Sequence, residues 1–347
     1  MPANAPTPAE LGYRWPAEWE PQAAVWLSWP RNPATWPGKF EPVPAEYALF
    51  ARAIADFEPV HILAGGHVLD QARSLVGDVK NITLHDISTN DSWCRDHGPS
   101  FLAGKNLPPA LVDWEYNAWG GKYPPFDLDN QVPARIAEYT GRRRFSPGII
   151  LEGGAIEGNG LGALLTTESC LLNPNRNGEL SREEVERYLR DYLAIKKVLW
   201  LRGGEVAGDD TDGHIDQLAR FVGPRTVVCA TCDDASDENY EPTQQNFEEL
   251  KTLRDQDDRP LEVAPLPLPD PLFYDEQRLP TSYCNFLIVN GGVLVPQFGD
   301  ARADERACAI LRELMPDREI RGLPSLDLVW GLGSFHCLSQ QEAKADM

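Results

Sequence analysis

The sequence predicts a mixed α/β architecture built from strand hairpins and intervening helices. Three observations carry that prediction. Short β-branched and leucine-rich runs recur along the whole chain, separated by stretches of helical period. Several runs come in close pairs across turns, as in Phe286-Leu287-Ile288-Val289 and Val293-Leu294-Val295 around Asn290-Gly291-Gly292. These pairs break the strict strand-helix alternation of a doubly wound parallel sheet. The spacing hints at several ββαβ-like units that share no residue-level identity. With 347 residues, 42% hydrophobic and 24% charged, the chain can fill one large core or two modest ones, and no sharp linker divides it.

The first forty residues are rich in Trp and Pro, at Trp15-Pro16, Trp19, Trp26, Trp29-Pro30 and Trp36-Pro37. Each proline removes a donor and restricts its predecessor, so no long helix is expected there. Ala24–Trp29 reads as a buried strand. Pro44 suits the first turn of a helix with Tyr47, Phe50, Ala51, Ile54 and Phe57 on one face, followed by a strand at Val60–Ala64 and a Gly-Gly turn. A short helix at Val68–Leu75 and a strand at Ile82–Leu84 come next. Ala163–Thr167 and Cys170-Leu171-Leu172 read as strands, and Ser181–Leu193 as a helix opened by a capping box of Ser181 with Glu184. Val198–Leu201 and Thr226–Ala230 are expected strands, and Pro242–Leu253 a helix with Phe247, Leu250 and Leu253 inward. After a proline-rich stretch and the 286–295 hairpin, Ala303–Leu314 is the last helix, expected to feed a strand before Cys337.

Lys and Arg total 32 against 53 Asp and Glu, a formal charge of -21, which disfavours nucleic acid or anionic membrane as a partner and favours a small cation. Met1–Pro21 has no basic start and no apolar segment, and no run approaches the roughly 18 apolar residues of a membrane span. A cytoplasmic protein is expected. The seven cysteines are odd in number and scattered, which suits reduced thiols. Cys229 and Cys232 form a CxxC without a second ligand pair, so they read as structural.

Three stretches carry chemistry. Leu328–Gln341 places a thiol, Cys337, just past a glycine-punctuated turn, the candidate nucleophile. Asp209-Asp210-Thr211-Asp212-Gly213-His214-Ile215-Asp216 is the densest polar cluster; taken as extended, it projects His214 and Asp216 to one side. A metal site of His-x-Asp type or a solvated acidic loop are its other readings. Asn90–Ser100 offers Trp93 and Asp96 at a loop edge, an aromatic face beside a carboxylate, which is what a planar cation wants. The alternative is an Arg95-Asp96 structural pair with a core tryptophan. The glycine-rich turns at Asn117–Gly121 and Glu152–Gly160 precede no helix in phosphate-loop manner, so a nucleotide site is rejected. A thiol, a histidine, carboxylates and an aromatic edge form a coherent set for thiolate attack on the central carbon of a guanidinium, with the histidine protonating departing ammonia and then activating water. The same parts also permit a papain-like amidase. His336 adjoins the thiol, but in an extended strand it would face away, which leaves His214 as the base.

These residues closely resemble the agmatine deiminase family, which includes the bacterial type of peptidylarginine deiminase, within the pentein or guanidino-modifying superfamily. The likeness runs nearly end to end. It covers the Trp-Pro segment through Trp36-Pro37-Gly38, Trp93–Pro99, Asn117–Gly121, Glu152-Gly153-Gly154, Leu172–Asn177, Gly208–Asp216, Ser282–Phe286 and His336–Gln341. It implies a single domain over residues 1–347, an α/β propeller of five ββαβ units about a pseudo-fivefold axis. By the same resemblance Cys337 matches the amidino-cysteine nucleophile, His214 the general acid/base, Asp96 and Asp216 the guanidinium-holding carboxylates, and Asp210 a further substrate-contacting acid. Trp93 is added on physical grounds. No metal or organic cofactor is implied. The chain departs from the family in reading Gly153-Gly154-Ala155-Ile156-Glu157 where many members have Gly-Gly-Ser-x-His, and Ser334-Phe335-His336-Cys337-Leu338-Ser339 where the usual pattern ends x-Ile-His-Cys-Ile-Thr. The expected function is deimination of agmatine to N-carbamoylputrescine and ammonia, a step of putrescine biosynthesis. The alternatives are a deiminase of peptidylarginine, free arginine or another guanidino compound, an amidinotransferase, and a non-catalytic pentein that binds a partner. A cationic guanidino molecule is the expected partner, and a homo-oligomer is compatible with the sequence.

Overall fold

In the computed structural model, which describes residues 5–202 and 204–346, the strands of those residues form five sheets of shared wiring and one separate hairpin. The first sheet contains β1 (Gln22–Ser28), β2 (Val60–Leu63) and β3 (Ile82–His85), all parallel. In the second, β4 (Ser100–Leu102) pairs antiparallel with β5 (Ala110–Val112), which runs parallel to β6 (Arg143–Phe145). The third repeats this with β7 (Glu157–Gly158), β8 (Ala163–Thr167) and β9 (Lys197–Leu201), and the fourth with β10 (Ala219–Phe221), β11 (Thr226–Thr231) and β12 (Glu262–Pro267). A hairpin of β13 (Phe273–Tyr274) and β14 (Gln277–Arg278) intervenes, then β15 (Leu287–Val289), β16 (Gly292–Gln297) and β17 (Glu319–Pro324) repeat the pattern. The last strand, β18 (Ser339–Ala343), returns to pair antiparallel with β1, Leu27 opposite Ser339.

Parallel neighbours cannot be joined by a tight turn, so each parallel pair carries a crossover helix. Those helices are Val43–Ala55, Leu69–Val76, Val132–Thr140, Arg182–Leu193, Tyr240–Thr252 and Ala301–Leu314. The expected determinants hold. Pro44 lies in the first turn of Val43–Ala55, which buries Tyr47, Phe50, Ala51 and Ile54, and Ser181 and Glu184 form the reciprocal capping box. The 286–295 hairpin turns on Asn290-Gly291, with Val289 opposite Gly292. All seven cysteines are free and buried. Among the described residues no helix is long and apolar enough to cross a membrane.

Two expectations are corrected. Cys170-Leu171-Leu172 is not a strand: Thr167 Oγ1 accepts the Cys170 N–H and starts a helical turn, Glu168–Leu171. No strand leads directly into Cys337 either. The last helix feeds β17, and the chain then passes through a 3₁₀ turn, Val329–Gly331, and a left-handed Leu332 before a turn closed by Leu338 N donating to Ser334 O, with β18 following the cysteine. Gly333 is required here, because a Cβ would lie 2.4 Å from the Trp93 ring.

A short helical segment or turn precedes the antiparallel partner strand of every sheet. These are Cys94–His97 before β4, Gly153–Ala155 before β7, Ile215–Leu218 before β10, Tyr283–Asn285 before β15 and Ser334–Leu338 before β18. The turns are tied to one another. Arg95 N donates to Cys337 O at 3.1 Å, Gly154 N to Asp96 Oδ1 at 2.9 Å, Ser282 Oγ to Gln217 O at 2.7 Å, and His336 N to Asn285 O at 3.1 Å. Beneath them lies a buried ion network. Arg220 bonds Glu18 and, at 2.8 Å, Glu157.

Candidate active site

The turn before β18 presents Cys337, and one side chain shapes it. Asn285 Oδ1 accepts the N–H groups of Ser334 (3.1 Å) and Cys337 (3.2 Å), while its Nδ2 donates to Cys337 Sγ at 3.0 Å. A donor aimed at sulfur favours the thiolate. The thiol lies 3.5 Å from Asp216 Oδ2.

Asp96 is set by two donors, Gly154 N to Oδ1 (2.9 Å) and Trp119 Nε1 to Oδ2 (3.0 Å). The indole reaches that position because Ala118 and Trp119 both adopt left-handed backbone, with φ of 52° and 56°, while Asn117 Oδ1 accepts the Gly120 N–H at 2.9 Å. Non-glycine residues held there cost energy and cluster at functional sites. Asp216 Oδ2 accepts from His336 Nδ1 at 2.7 Å, and its Oδ1 has no hydrogen-bond partner although buried. His214 lies with Nδ1 3.6 Å from Asp96 Oδ1 and Nε2 3.9 Å from Glu152 Oε2, and Glu152 Oε1 accepts from Arg176 Nε at 2.8 Å. A Cβ on Gly154 would lie 2.6 Å from His214 Nδ1, 2.7 Å from Asp96 Oδ1 and 3.1 Å from Asp216 Oδ2. The missing side chain is what leaves these three groups facing one another.

The electrostatics follow from burial and charge. Burial disfavours a charged His214, but Asp96, the Cys170 thiol and Glu152 outweigh it and hold the imidazole well above its ordinary range. Burial pushes Asp96 up to about 6, with His214 pulling the other way. Burial, then the charges of Asp216 and Asp96, raise the Cys337 thiol well above its usual value. Asp216 and Glu152 stay low despite burial, the first through His336 and the second through His214 and Arg176. These directions favour a charged imidazole and a neutral thiol among the carboxylates. A cation between Asp96 and Asp216 would offset the charges that, after burial, raise the thiol.

A cavity of about 710 Å³ leads to this point, with Trp93, Asp96, Trp119 and Cys337 in its wall. Trp93 is buried rather than at a loop edge, stacked on Trp36 with ring centroids 5.8 Å apart, and one side of it faces the cavity. Asp210 stands apart from the buried cluster, partly exposed, bonded by Tyr123 Oη and by Lys122 Nζ at 3.2 Å. The 209–216 segment is not extended: Asp212 and Gly213 are left-handed and His214 caps the helical turn Ile215–Leu218, yet His214 and Asp216 still converge. Nor is that segment a solvated loop throughout, since both side chains are fully buried. Arg95 does not pair with Asp96; its guanidinium bonds Gln340, Gln341 and the His336 carbonyl. His336 does not face away, because it sits in a turn and shares Asp216 with Cys337.

Sequence reasoning thus brought four residues together, Cys337, His214, Asp96 and Asp216, and missed five that hold them: Glu152, Gly154, Trp119, Asn285 and His336. The signals were the two glycine-rich turns, set aside for want of a following helix, and Asn285 in the stretch Ser282–Phe286.

The family model described as Porphyromonas-type peptidyl-arginine deiminase matches residues 14–343. The agmatine deiminase of Pseudomonas syringae pv. tomato is 40% identical, covering 97% of each chain. The structure of an agmatine deiminase of Enterococcus faecalis superposes with a TM-score of 0.93 at 35% identity over 98% of each chain. A C. jejuni agmatine deiminase with substrate bound gives 0.88 at 33% identity over 96% of each chain. The fold alone extends further, to the N-terminal domain of the arginine dihydrolase ArgZ, with a TM-score of 0.54 at 12% identity over 93% of this chain and 99% of that one.

Proposed function

The chain belongs to the Porphyromonas-type peptidyl-arginine deiminase family, and from that premise we propose that it is a C–N hydrolase converting agmatine and water to N-carbamoylputrescine and ammonia. The observation that carries the reading is the convergence of Asp96, Asp216, His214 and Cys337 on the space left by Gly154. The Asp96 and Asp216 carboxylates bind the guanidinium nitrogens by charge-assisted hydrogen bonds. The bound cation favours the thiolate, whose proton leaves to solvent. Sγ then adds to the guanidinium carbon, forming a C–S bond while a C–N π pair moves onto nitrogen. His214 gives its proton to the leaving nitrogen, the C–N bond breaks, and ammonia departs from a thiouronium on Cys337. Neutral His214 next takes a proton from water as its oxygen adds to that carbon. Collapse expels the thiolate, the hydroxyl proton passes to the sulfur to restore the thiol, and a neutral ureido group remains. Glu152 holds His214 charged for the first half of the cycle.

Asp91, Asp129 and Asp210 also line the cavity, and Trp93 supplies an aromatic face. Carboxylates there suit the second ammonium of a dicationic substrate better than an α-carboxylate. The five sheets, with their tied turns, support an assignment as five blades around the site in one domain. The net charge of -21 supports a small cation as partner in place of nucleic acid or membrane, in a cytoplasmic setting, with homo-oligomers permitted. Ammonia release from agmatine, arginine and a peptidylarginine tests the function. Agmatine is expected to give the highest kcat/KM, and Cys337→Ala to abolish turnover with the fold retained. Preference for arginine or a peptide, or turnover surviving in Cys337→Ala, overturns it.

A further inference from the structure

A second thiol meets the same imidazole. Cys170 lies in the helical turn Glu168–Leu171, fully buried, and the chemistry above does not use it. Its Sγ, a ring nitrogen of His214 and a carboxylate oxygen of Glu152 lie within 4.8 Å of one another. The Glu152 and His214 side chains are fully buried, and Glu152 Oε2 and both His214 nitrogens lack a hydrogen-bond partner. Arg176 takes only the other oxygen of Glu152, so Oε2 is available. One sulfur, one imidazole nitrogen and one carboxylate oxygen make a donor set for a borderline-soft dication such as Zn²⁺ or Co²⁺. They do not suit Ca²⁺ or Mg²⁺, which require oxygen. A thiolate and the Glu152 carboxylate, the latter shared with Arg176, offset part of the double positive charge.

We propose that Cys170, His214 and Glu152 form an inhibitory binding site for a thiophilic divalent cation of the Zn²⁺ class. The metal bonds to Cys170 Sγ, His214 Nε2 and Glu152 Oε2, and water takes the fourth position. The metal occupies the nitrogen that must donate to the leaving group, so turnover stops. That last consequence rests on the deiminase reading; binding itself does not.

Co²⁺ is the probe, added to the purified protein freed of metal. One equivalent is expected to produce sulfur-to-cobalt charge-transfer absorption in the near ultraviolet, reversed by chelator. The band is expected to persist in Cys337→Ser and to vanish in Cys170→Ser, with Zn²⁺ affinity falling about tenfold or more in Cys170→Ser. Glu152→Gln, checked for folding by circular dichroism, gives a second variant and is expected to weaken binding while keeping the band at higher metal concentration. A band lost in Cys337→Ser, retained in Cys170→Ser, or absent from the parent protein at millimolar Co²⁺ overturns the site. Metal bound as expected without any effect on turnover overturns only the inhibition.

Discussion

His336 Nδ1 lies 2.7 Å from Asp216 Oδ2, and the other ring nitrogen of His336 lies 3.0 Å from Glu18 Oε2. Glu18 is in turn bonded by buried Arg220. The imidazole therefore braces the Asp216 carboxylate through Oδ2, the oxygen that also lies 3.5 Å from Cys337 Sγ, and leaves Oδ1 without a hydrogen-bond partner. Removing the brace with His336→Ala is expected to lower kcat/KM for agmatine about 10- to 100-fold, the equivalent of about 1.5–3 kcal/mol for a hydrogen bond to a charged group. The loss should fall mainly on KM. His336→Asn, whose amide can replace Nδ1, is expected to recover part of it, and equal losses in both variants would exclude a bracing role.

Gly154→Ala tests the geometry with one methyl group. The backbone there needs no left-handed φ, so the fold is expected to survive, but the added Cβ would crowd His214, Asp96 and Asp216. Activity is expected to fall by more than about a hundredfold, as a misplacement near 1 Å at a reacting centre does. A thermal unfolding curve close to that of the parent protein separates this outcome from misfolding.

Asp96 sets an acid limb. Its carboxyl titrates at about 6 through burial, above the ordinary carboxylate range, and only the ionised form holds a guanidinium. As pH falls through about 6, Asp96 gains a proton and KM for agmatine is expected to rise. Trp119→Phe deletes the N–H that favours the carboxylate. In that variant the limb should move to higher pH in a kcat/KM profile; an unmoved limb would assign it to another group.

Glu46 gives a stability prediction away from the chemistry. Its carboxylate accepts the N–H groups of Asp327 and Leu328, where the segment leading to Cys337 begins. Burial and the neighbouring Asp327 raise it from 4.5 to about 7, opposed by those two N–H groups and Lys39. A raised acid binds its proton more tightly in the folded state. Glu46 thus becomes destabilising as pH rises from about 4.5 through 7. Glu46→Gln is expected to raise Tm above pH 7 and to leave it nearly unchanged near pH 4.5.

Much of this was legible in the sequence, and the gaps have physical causes. Strands, the 181–184 cap and the 290–291 turn depend on local pattern, and they appear where pattern places them. Cys170 was misread because β-like apolar composition cannot announce that Thr167 will cap a helical turn. His336 was misread because alternation of side chains holds only in a strand, and a turn puts neighbours on one carboxylate. Glu152 and Asn285 act through partners far away in sequence, His214 and Cys337, so no local spacing marks them. Trp119 depends on two successive left-handed residues, which composition does not foretell.

The pairing of β18 with β1 has a consequence for the order in which the protein becomes reactive. It joins Leu27 to Ser339, a contact of long sequence separation, and such contacts carry a large loop-closure cost and form slowly. Asp96, His214 and Asp216 all leave the ribosome before Cys337, and β18 begins immediately beyond the turn that holds the thiol. The brace on Asp216, His336, arrives together with the nucleophile beside it. Closing β18 on β1 is therefore expected to complete the carboxylate cradle and to deliver the thiol in one step.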